Sequence, residues 1–233
     1  MEPTPSASRE LILEAEAASR RGPTHEHNED AYLVHIEGGL FAVADGMGGH
    51  REGHVASTAI VSVLEKTLAP ATSFEEKIQT ATRAIESVNA TLYAQSRANP
   101  DLDISGSTIL SLVVGENYAC CLWAGDSRLY IFRQNHLFLV SEDHATADGA
   151  LLRAVGSAPT IEVDRRIMEI QDGDLFLLCS DGLLKGMDEG DLVEMLGRMG
   201  EAPADLLLAK AIVGGSADDI TVILVWVGLR DGE

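Results

Sequence analysis

Apolar positions change their period along this chain, and the changes mark out its elements. From Leu11 to Ser19 apolar and acidic residues alternate, as on a half-exposed strand. Two short β-type runs come next, Ala31–Ile36 and Leu40–Ala44, and Glu37-Gly38-Gly39 between them predicts a hairpin. The period then lengthens. Between Gly53 and Leu68, Ala56, Ala59, Ile60, Val63 and Leu64 share one helical face; between Phe74 and Gln95, Ile78, Ala81, Ile85, Val88 and Leu92 do the same. After Pro100 strands return. Thr108–Val114, Tyr118–Ala124, Leu129–Phe132 and His136–Val140 are separated by turns containing Gly, Asn or Asp, and read as an antiparallel meander. Thr160–Val163 and Leu175–Cys179 are further strands, Glu189–Met199 and Pro203–Val213 are helices, and Ile220–Val227 closes as a strand. This order is an α+β plan, in which sheets packed face to face and covered by outer helices bury both faces of their strands.

Length and charge narrow the picture. At 233 residues the chain suits one domain, assigned to residues 10–230, with residues 1–9 as a disordered tail. Against 17 basic residues stand 37 acidic ones, a net charge of −20. The clustered Lys and Arg that nucleic-acid phosphates require are missing, and an anionic membrane surface is equally disfavoured. Most of these carboxylates are ordinary solubilising charge, although the excess suits divalent cations or a basic partner. No apolar stretch exceeds strand length and the first ten residues lack a secretory core, so a cytoplasmic protein is expected. Cys120, Cys121 and Cys179 lie inside apolar runs, where thiols pack as small hydrophobes.

Candidate chemistry sits where apolar runs end. Leu40–Ala44 leads into Asp45-Gly46, and Leu175–Cys179 leads through Ser180 into Asp181-Gly182. Asp218-Asp219 inverts the order by preceding Ile220–Val227. Carboxylates brought to one sheet edge would share a cleft and repel one another unless cations sat between them. Mg²⁺ or Mn²⁺ suits such a cleft, because hard ions take oxygen ligands and keep waters. A single Asp-Gly is first of all a turn signal, and Asp148-Gly149, Asp172-Gly173 and Asp231-Gly232 are read that way. The combination with Asn28-Glu29-Asp30 and Gly125-Asp126-Ser127-Arg128 is more specific.

These stretches resemble the metal-dependent type 2C serine/threonine protein phosphatases in their bacterial form. The likeness runs through Asn28-Glu29-Asp30-Ala31, Ala44-Asp45-Gly46-Met47-Gly48-Gly49-His50, Ser105-Gly106-Ser107-Thr108 and Ala124-Gly125-Asp126-Ser127-Arg128. It continues in Asp143-His144, Leu152-Arg153-Ala154-Val155-Gly156, Cys179-Ser180-Asp181-Gly182-Leu183 and Gly215-Ser216-Ala217-Asp218-Asp219-Ile220-Thr221, in the family's order. The resemblance implies a four-layer α-β-β-α sandwich, two antiparallel sheets flanked by helices, with two Mn²⁺ or Mg²⁺ ions at one end. By that likeness Asp45 bridges both ions, Glu29 and the Gly46 carbonyl serve one, and Asp181 and Asp218 serve the other. Asp30 orients water, Asp126 with Asp181 serves a third, weaker ion, and His50 is a candidate to protonate the leaving group. Paired ions activate a water and hold phosphoryl oxygens, so the implied activity is hydrolysis of phosphoserine and phosphothreonine on proteins, opposing a Ser/Thr kinase. A monomer is expected. The alternatives are a weakly active or inactive relative that binds phosphoproteins, and a hydrolase of another phosphate monoester.

Other phosphatase chemistries fail on the residues. A cysteine nucleophile with Arg six places later is missing, since Asp126, Ser127 and Lys185 stand there. Asp101-Leu102-Asp103 comes after a polar stretch and reads as a loop. No Gly-Lys-Ser/Thr is found after Met47, and no His and Cys spacing suits zinc. Three departures from the family stand out. His25 occupies the position of a phosphate-gripping Arg, and an imidazole offers fewer donors and less charge. Only Ala145 to Leu151 separates Asp143-His144 from Leu152, so the family's flap is largely absent. Asp219 replaces an Asn and adds negative charge near the ions.

Overall fold

A computed structural model describes residues 9–48, 52–67, 73–98, 106–198 and 204–231. Of the expected tail over residues 1–9, residues 1–8 lie outside the described residues, as do the Asp101-Leu102-Asp103 loop and His50, while Arg9 is no tail but opens the first strand opposite Asp231. Strands β1 (Arg9–Arg20), β2 (Asp30–His35) and β3 (Leu40–Met47) come first, then helices α1 (Glu52–Lys66) and α2 (Phe74–Ala98). The central strands are β4 (Gly106–Ser107), β5 (Ile109–Val114), β6 (Tyr118–Ala124), β7 (Arg128–Arg133), β8 (His136–Leu139), β9 (Asp164–Glu169) and β10 (Leu175–Cys179). The short α3 (Asp181–Leu184), α4 (Glu189–Gly197), α5 (Ala204–Val213) and β11 (Ile220–Asp231) complete the order.

Two antiparallel sheets form. The first runs β1-β11-β10-β7-β8; the second runs β2-β3-β5-β6-β9, with β4 also on β3. Strand alternation sorts side chains into three buried layers. In β3, Leu40, Ala42 and Ala44 pack toward α1 and α2, while Phe41 and Val43 enter the layer between the sheets. In β11, Ile223, Val225 and Val227 join that middle layer, while Val222 and Leu224 meet α5 residues such as Leu207 and Ala211. Because both faces are covered, these strands read as continuous apolar runs. The α-β-β-α sandwich is therefore the observed fold.

Two local expectations need correction. The supposed meander is two hairpins in different sheets: β5 pairs β6 in the second, β7 pairs β8 in the first, and the chain crosses between sheets at residues 125–127. The strand expected at Thr160–Val163 lies instead at Asp164–Glu169. Ile161 and Val163 are apolar because they cover the helix-side core from irregular backbone. The real strand is a sheet edge with Arg165, Arg166 and Ile167 exposed, so it carries no apolar run. Asp164 starts it, held by Arg153 Nη1 at 2.8 Å and His144 Nε2 at 3.1 Å. Where the flap would stand, residues 145–151 fold into a tight loop closed by an Ala145–Leu151 bridge.

Candidate metal centre

The sandwich brings one end of β2, β3, β10 and β11 together with the crossover before β7. Asp30 opens β2 directly opposite Asp45 in β3. The Asp45 amide donates to Thr108 Oγ1 (3.0 Å), and its carbonyl accepts from the Thr108 amide (2.8 Å) and Ser107 Oγ (2.9 Å). The backbone under Asp45 is thus fixed. Ser180 Oγ donates to Asp30 Oδ2 at 2.7 Å while accepting from the Thr221 amide at 3.0 Å, which ties the two sheets across the site. At the crossover Gly125 has φ +129°, and a Cβ there would lie 2.5 Å from Thr108 Cβ, so Asp126 is presented by a turn that only glycine makes easily.

The Asp-Gly pairs separate into two kinds. Gly149 and Gly173 have positive φ with open space around them, as turns require. Gly46 and Gly182 lie outside the left-handed region, and what they lack is room. A Cβ on Gly46 would lie 2.2 Å from the Gly53 carbonyl oxygen, and one on Gly182 only 1.9 Å from that of Asp219. These glycines let chain segments close around the carboxylates. At Gly53 the same probe falls 3.0 Å from both the Glu29 carboxyl carbon and the Gly46 carbonyl oxygen, so those two oxygen donors flank one spot.

Mutual repulsion is legible in the protonation equilibria. Burial, then the charges of Asp30, Asp181, Asp218 and Asp126, holds the Asp45 carboxyl well above the usual range. Burial raises Asp30 to about 7, against hydrogen bonds from Thr221 and Ser180, with Asp219 and Asp181 adding repulsion. Asp126 rises to about 6 through burial and then Asp181, and Glu29 also rises through burial. Asp218 behaves differently: burial acts to raise it, but Lys185 prevails and its pKa falls. Lys185 Nζ pairs with Asp181 Oδ2 at 2.5 Å and with Asp218 Oδ2.

The structure thus brings Glu29, Asp30, Asp45, Asp126, Asp181 and Asp218 to one end of the sandwich, with the partly exposed His25 beside them. His25 Nδ1 lies 3.0 Å from Asp219 Oδ2 and 3.9 Å from Asp218 Oδ1. The neighbouring Asp219 carboxylate is the largest cause of its raised pKa. Asp219 itself is buried and takes the Gly22 and Glu29 amides, each at 2.6 Å. Its extra charge over Asn therefore serves the 22–29 loop. Ser180, Thr108 and Lys185 were not singled out by sequence reasoning as site residues. Of these Lys185 left a signal, the four-residue spacing from Asp181 that places both on one helical face.

The donor set fits a hard divalent cation. It consists of carboxylates and a backbone carbonyl, and the three cysteines are buried in the hydrophobic layers. Asp30 Oδ1 and Asp181 Oδ1 are buried without a hydrogen-bond donor, an arrangement that a cation or a proton relieves. Among the described residues no three carboxylate, imidazole or thiol groups form a ready-made ligand cluster.

Comparison with known proteins agrees with this geometry. Residues 21–208 match the family described as Protein phosphatase 2C. A serine/threonine phosphatase, Stp, of Listeria monocytogenes is 32% identical, over 91% of this chain and 95% of its own. PppA of Pseudomonas aeruginosa shares the fold at a TM-score of 0.86, with 32% identity over 94% of this chain and 100% of that one. The catalytic domain of the serine/threonine protein phosphatase PstP, solved with two manganese ions, gives a TM-score of 0.83 and 30% identity over 94% and 100%.

Proposed function

The chain belongs to the protein phosphatase 2C family and is a metal-dependent protein serine/threonine phosphatase, and from that premise we propose how its own residues carry the reaction. Glu29, Asp45 and the Gly46 carbonyl would hold one Mn²⁺ or Mg²⁺, and Asp181, Asp218 and Asp45 would hold the other. Asp126 with Asp181 would take a third, weaker ion. When bound, paired ions supply an activated water and neutralise charge on the phosphoryl oxygens. Asp30, fixed by Ser180, orients water for attack in line with the leaving Ser or Thr oxygen. His25 meets the substrate phosphate at the rim, and His50 is the candidate proton donor to the leaving oxygen.

The observation that carries this reading is the convergence of buried carboxylates that raise one another's pKa and leave Asp30 Oδ1 and Asp181 Oδ1 without donors. Residues 10–230 then act as one phosphatase domain, a cytoplasmic monomer opposing a Ser/Thr kinase; among the described residues no helix is long and apolar enough to cross a membrane. No specific observation favours an inactive binding module or a hydrolase of other monoesters. The test is release of phosphate from a phosphothreonine peptide with Mn²⁺, Mg²⁺ or EDTA. Turnover with metal, lost in EDTA and in Asp181→Asn, is expected. Turnover that persists in Asp181→Asn would overturn the assignment.

A further inference from the structure

Lys185 stands where its charge has a consequence. Asp181 begins α3 and Lys185 caps it, the Lys185 amide donating to the Asp181 carbonyl at 3.2 Å. That single turn sets the two side chains on one face, and the ammonium bridges Asp181 Oδ2 and Asp218 Oδ2. The next residue holds the lysine's backbone in place. A Cβ on Gly186 would lie 1.9 Å from the Ala211 carbonyl oxygen, so the chain after Lys185 is pressed against α5. Asp218 Oδ1 is already used by the Asp219 amide at 2.9 Å, and Asp181 Oδ1 is buried without a partner. The oxygens that Lys185 engages are therefore ones a divalent ion would also need.

We propose that Lys185 is a tethered counter-ion that competes with the divalent cation for Asp181 and Asp218, so that this half of the centre binds its ion more weakly than the Glu29/Asp45 half. This rests on the metal-ligand reading above. The ammonium holds the two acidic strand ends together; Asp181 keeps Oδ1 open to an ion, but Asp218 has both oxygens engaged, so an ion that draws on both carboxylates must displace the ammonium from Asp218. Lys185 thereby sets the cation concentration at which the centre fills.

The test is Mn²⁺ binding by the full chain at fixed pH, measured by calorimetry and by the Mn²⁺ electron-spin signal. Lys185→Met, Lys185→Arg and Asp181→Asn are compared with the parent. Lys185→Met removes the competitor while keeping a flexible side chain of similar length, and should tighten the weaker site by about tenfold, the effect of roughly 1.4 kcal/mol. Lys185→Arg keeps the charge and should keep the weak site. Melting in chelator should fall for Lys185→Met, and Mn²⁺ should raise it further than in the parent. Unchanged or weaker binding in Lys185→Met, with Asp181→Asn still abolishing the weaker site, overturns the competition and leaves the ligand reading intact. Unchanged binding in Asp181→Asn overturns the ligand reading itself. Should Lys185→Met fail to fold in chelator, it can be purified with Mn²⁺ and its release rate to excess chelator measured. Slower release than the parent supports the proposal, and equal or faster release overturns it.

Discussion

On one side of the acidic cleft, at the ends of β2 and β3, Asp30 and Asp45 face each other across adjacent strands, and burial lifts both carboxyls far above their usual range. On the other side, between β10 and β11, Asp218 is also partly buried, yet its carboxyl lies below that range because Lys185 reaches it. Both sides place carboxylates at strand ends, and both need close backbone approach at a glycine. What differs is one ammonium. Burial alone penalises the charged form; burial beside a fixed cation favours it. On one side the carboxylates face each other without a cation, while on the other an ammonium already pairs with two of them.

The strongest break of this comparison is Asp45→Asn. Asp45 feels Asp30, Asp181, Asp218 and Asp126 together, so it is the residue both halves share. The substitution should abolish turnover and binding of both ions, whereas in chelator it should not lower the melting temperature, because it removes a buried charge from among like charges. Loss of stability in chelator without loss of Mn²⁺ binding would mean that Asp45 is a structural carboxylate.

A smaller effect separates the two kinds of Asp-Gly pair. Gly182→Ala forces a methyl group onto the Asp219 carbonyl; overpacking of this sort costs about 1–3 kcal/mol, and here it also displaces Asp181 and Asp218. Gly149→Ala meets no neighbour but must hold φ near +85°, which costs roughly 1–2 kcal/mol. Denaturant melts should therefore show both variants destabilised, with phosphopeptide turnover lost in Gly182→Ala and kept in Gly149→Ala. Equal activity in the two would show that the tight approach at Gly182 has no bearing on the site.

The next effect is a slope. Asp30 and Asp126 bind protons in the folded chain up to about 7 and about 6, against 3.8 for a free Asp. Their contribution to stability is full below the free value and is lost as pH rises through the folded values. In chelator, melting temperature should fall between about pH 4 and 7, the span between the free and the folded values. Asp218, with its lowered pKa, contributes stability that is lost only in more acidic solution, so it does not cancel this slope. With saturating Mn²⁺ the sign should reverse, because the carboxylates proposed as its ligands, Asp126 among them, must be ionised to hold it. Asp30→Asn should flatten the chelator slope and lower turnover by about 10–100-fold, the usual cost of losing a group that orients a metal centre's ligands and water. A melting temperature independent of pH in chelator would contradict the burial argument.

Much of this was legible in the residues, for a physical reason. Strands β3, β10 and β11 are apolar on both faces, so Leu40–Ala44, Leu175–Cys179 and Ile220–Val227 announce themselves, and the acidic residues at their ends stand out by contrast. The edge strand β9 does not, because Arg165, Arg166 and Ile167 are exposed and its contact with the middle layer is through the partly buried Met168. The switch between sheets at residues 125–127 is equally silent, since a hairpin and a crossover use the same turn residues. Of the site residues known by motif, Asp30, Asp45, Asp126, Asp181 and Asp218 lie near one another, whereas His50 lies outside the described residues. Those that work through contact, such as Ser180 on Asp30 and Asp219 on the Gly22 and Glu29 amides, depend on partners far along the chain and required the fold.

The smallest expected effect concerns the rim, where the two halves meet the substrate. Asp219 raises the pKa of His25, so the imidazole is more fully protonated near neutrality than a free one and carries part of the charge that an Arg would bring. As pH rises through its folded pKa, that charge and the stability of the contact are lost together. His25→Arg should therefore lower KM for a phosphothreonine peptide with little change in kcat, the signature of added uniform binding. The gain should be larger at pH 8 than at pH 6.5, because the guanidinium stays charged where the imidazole does not. An unchanged or higher KM at both pH values would remove His25 from the phosphate site, and would mean that Asp219 keeps any cation at position 25 for the 22–29 loop. A gain at high pH alone would show instead that the parent chain already uses His25 as a cation whenever it is protonated.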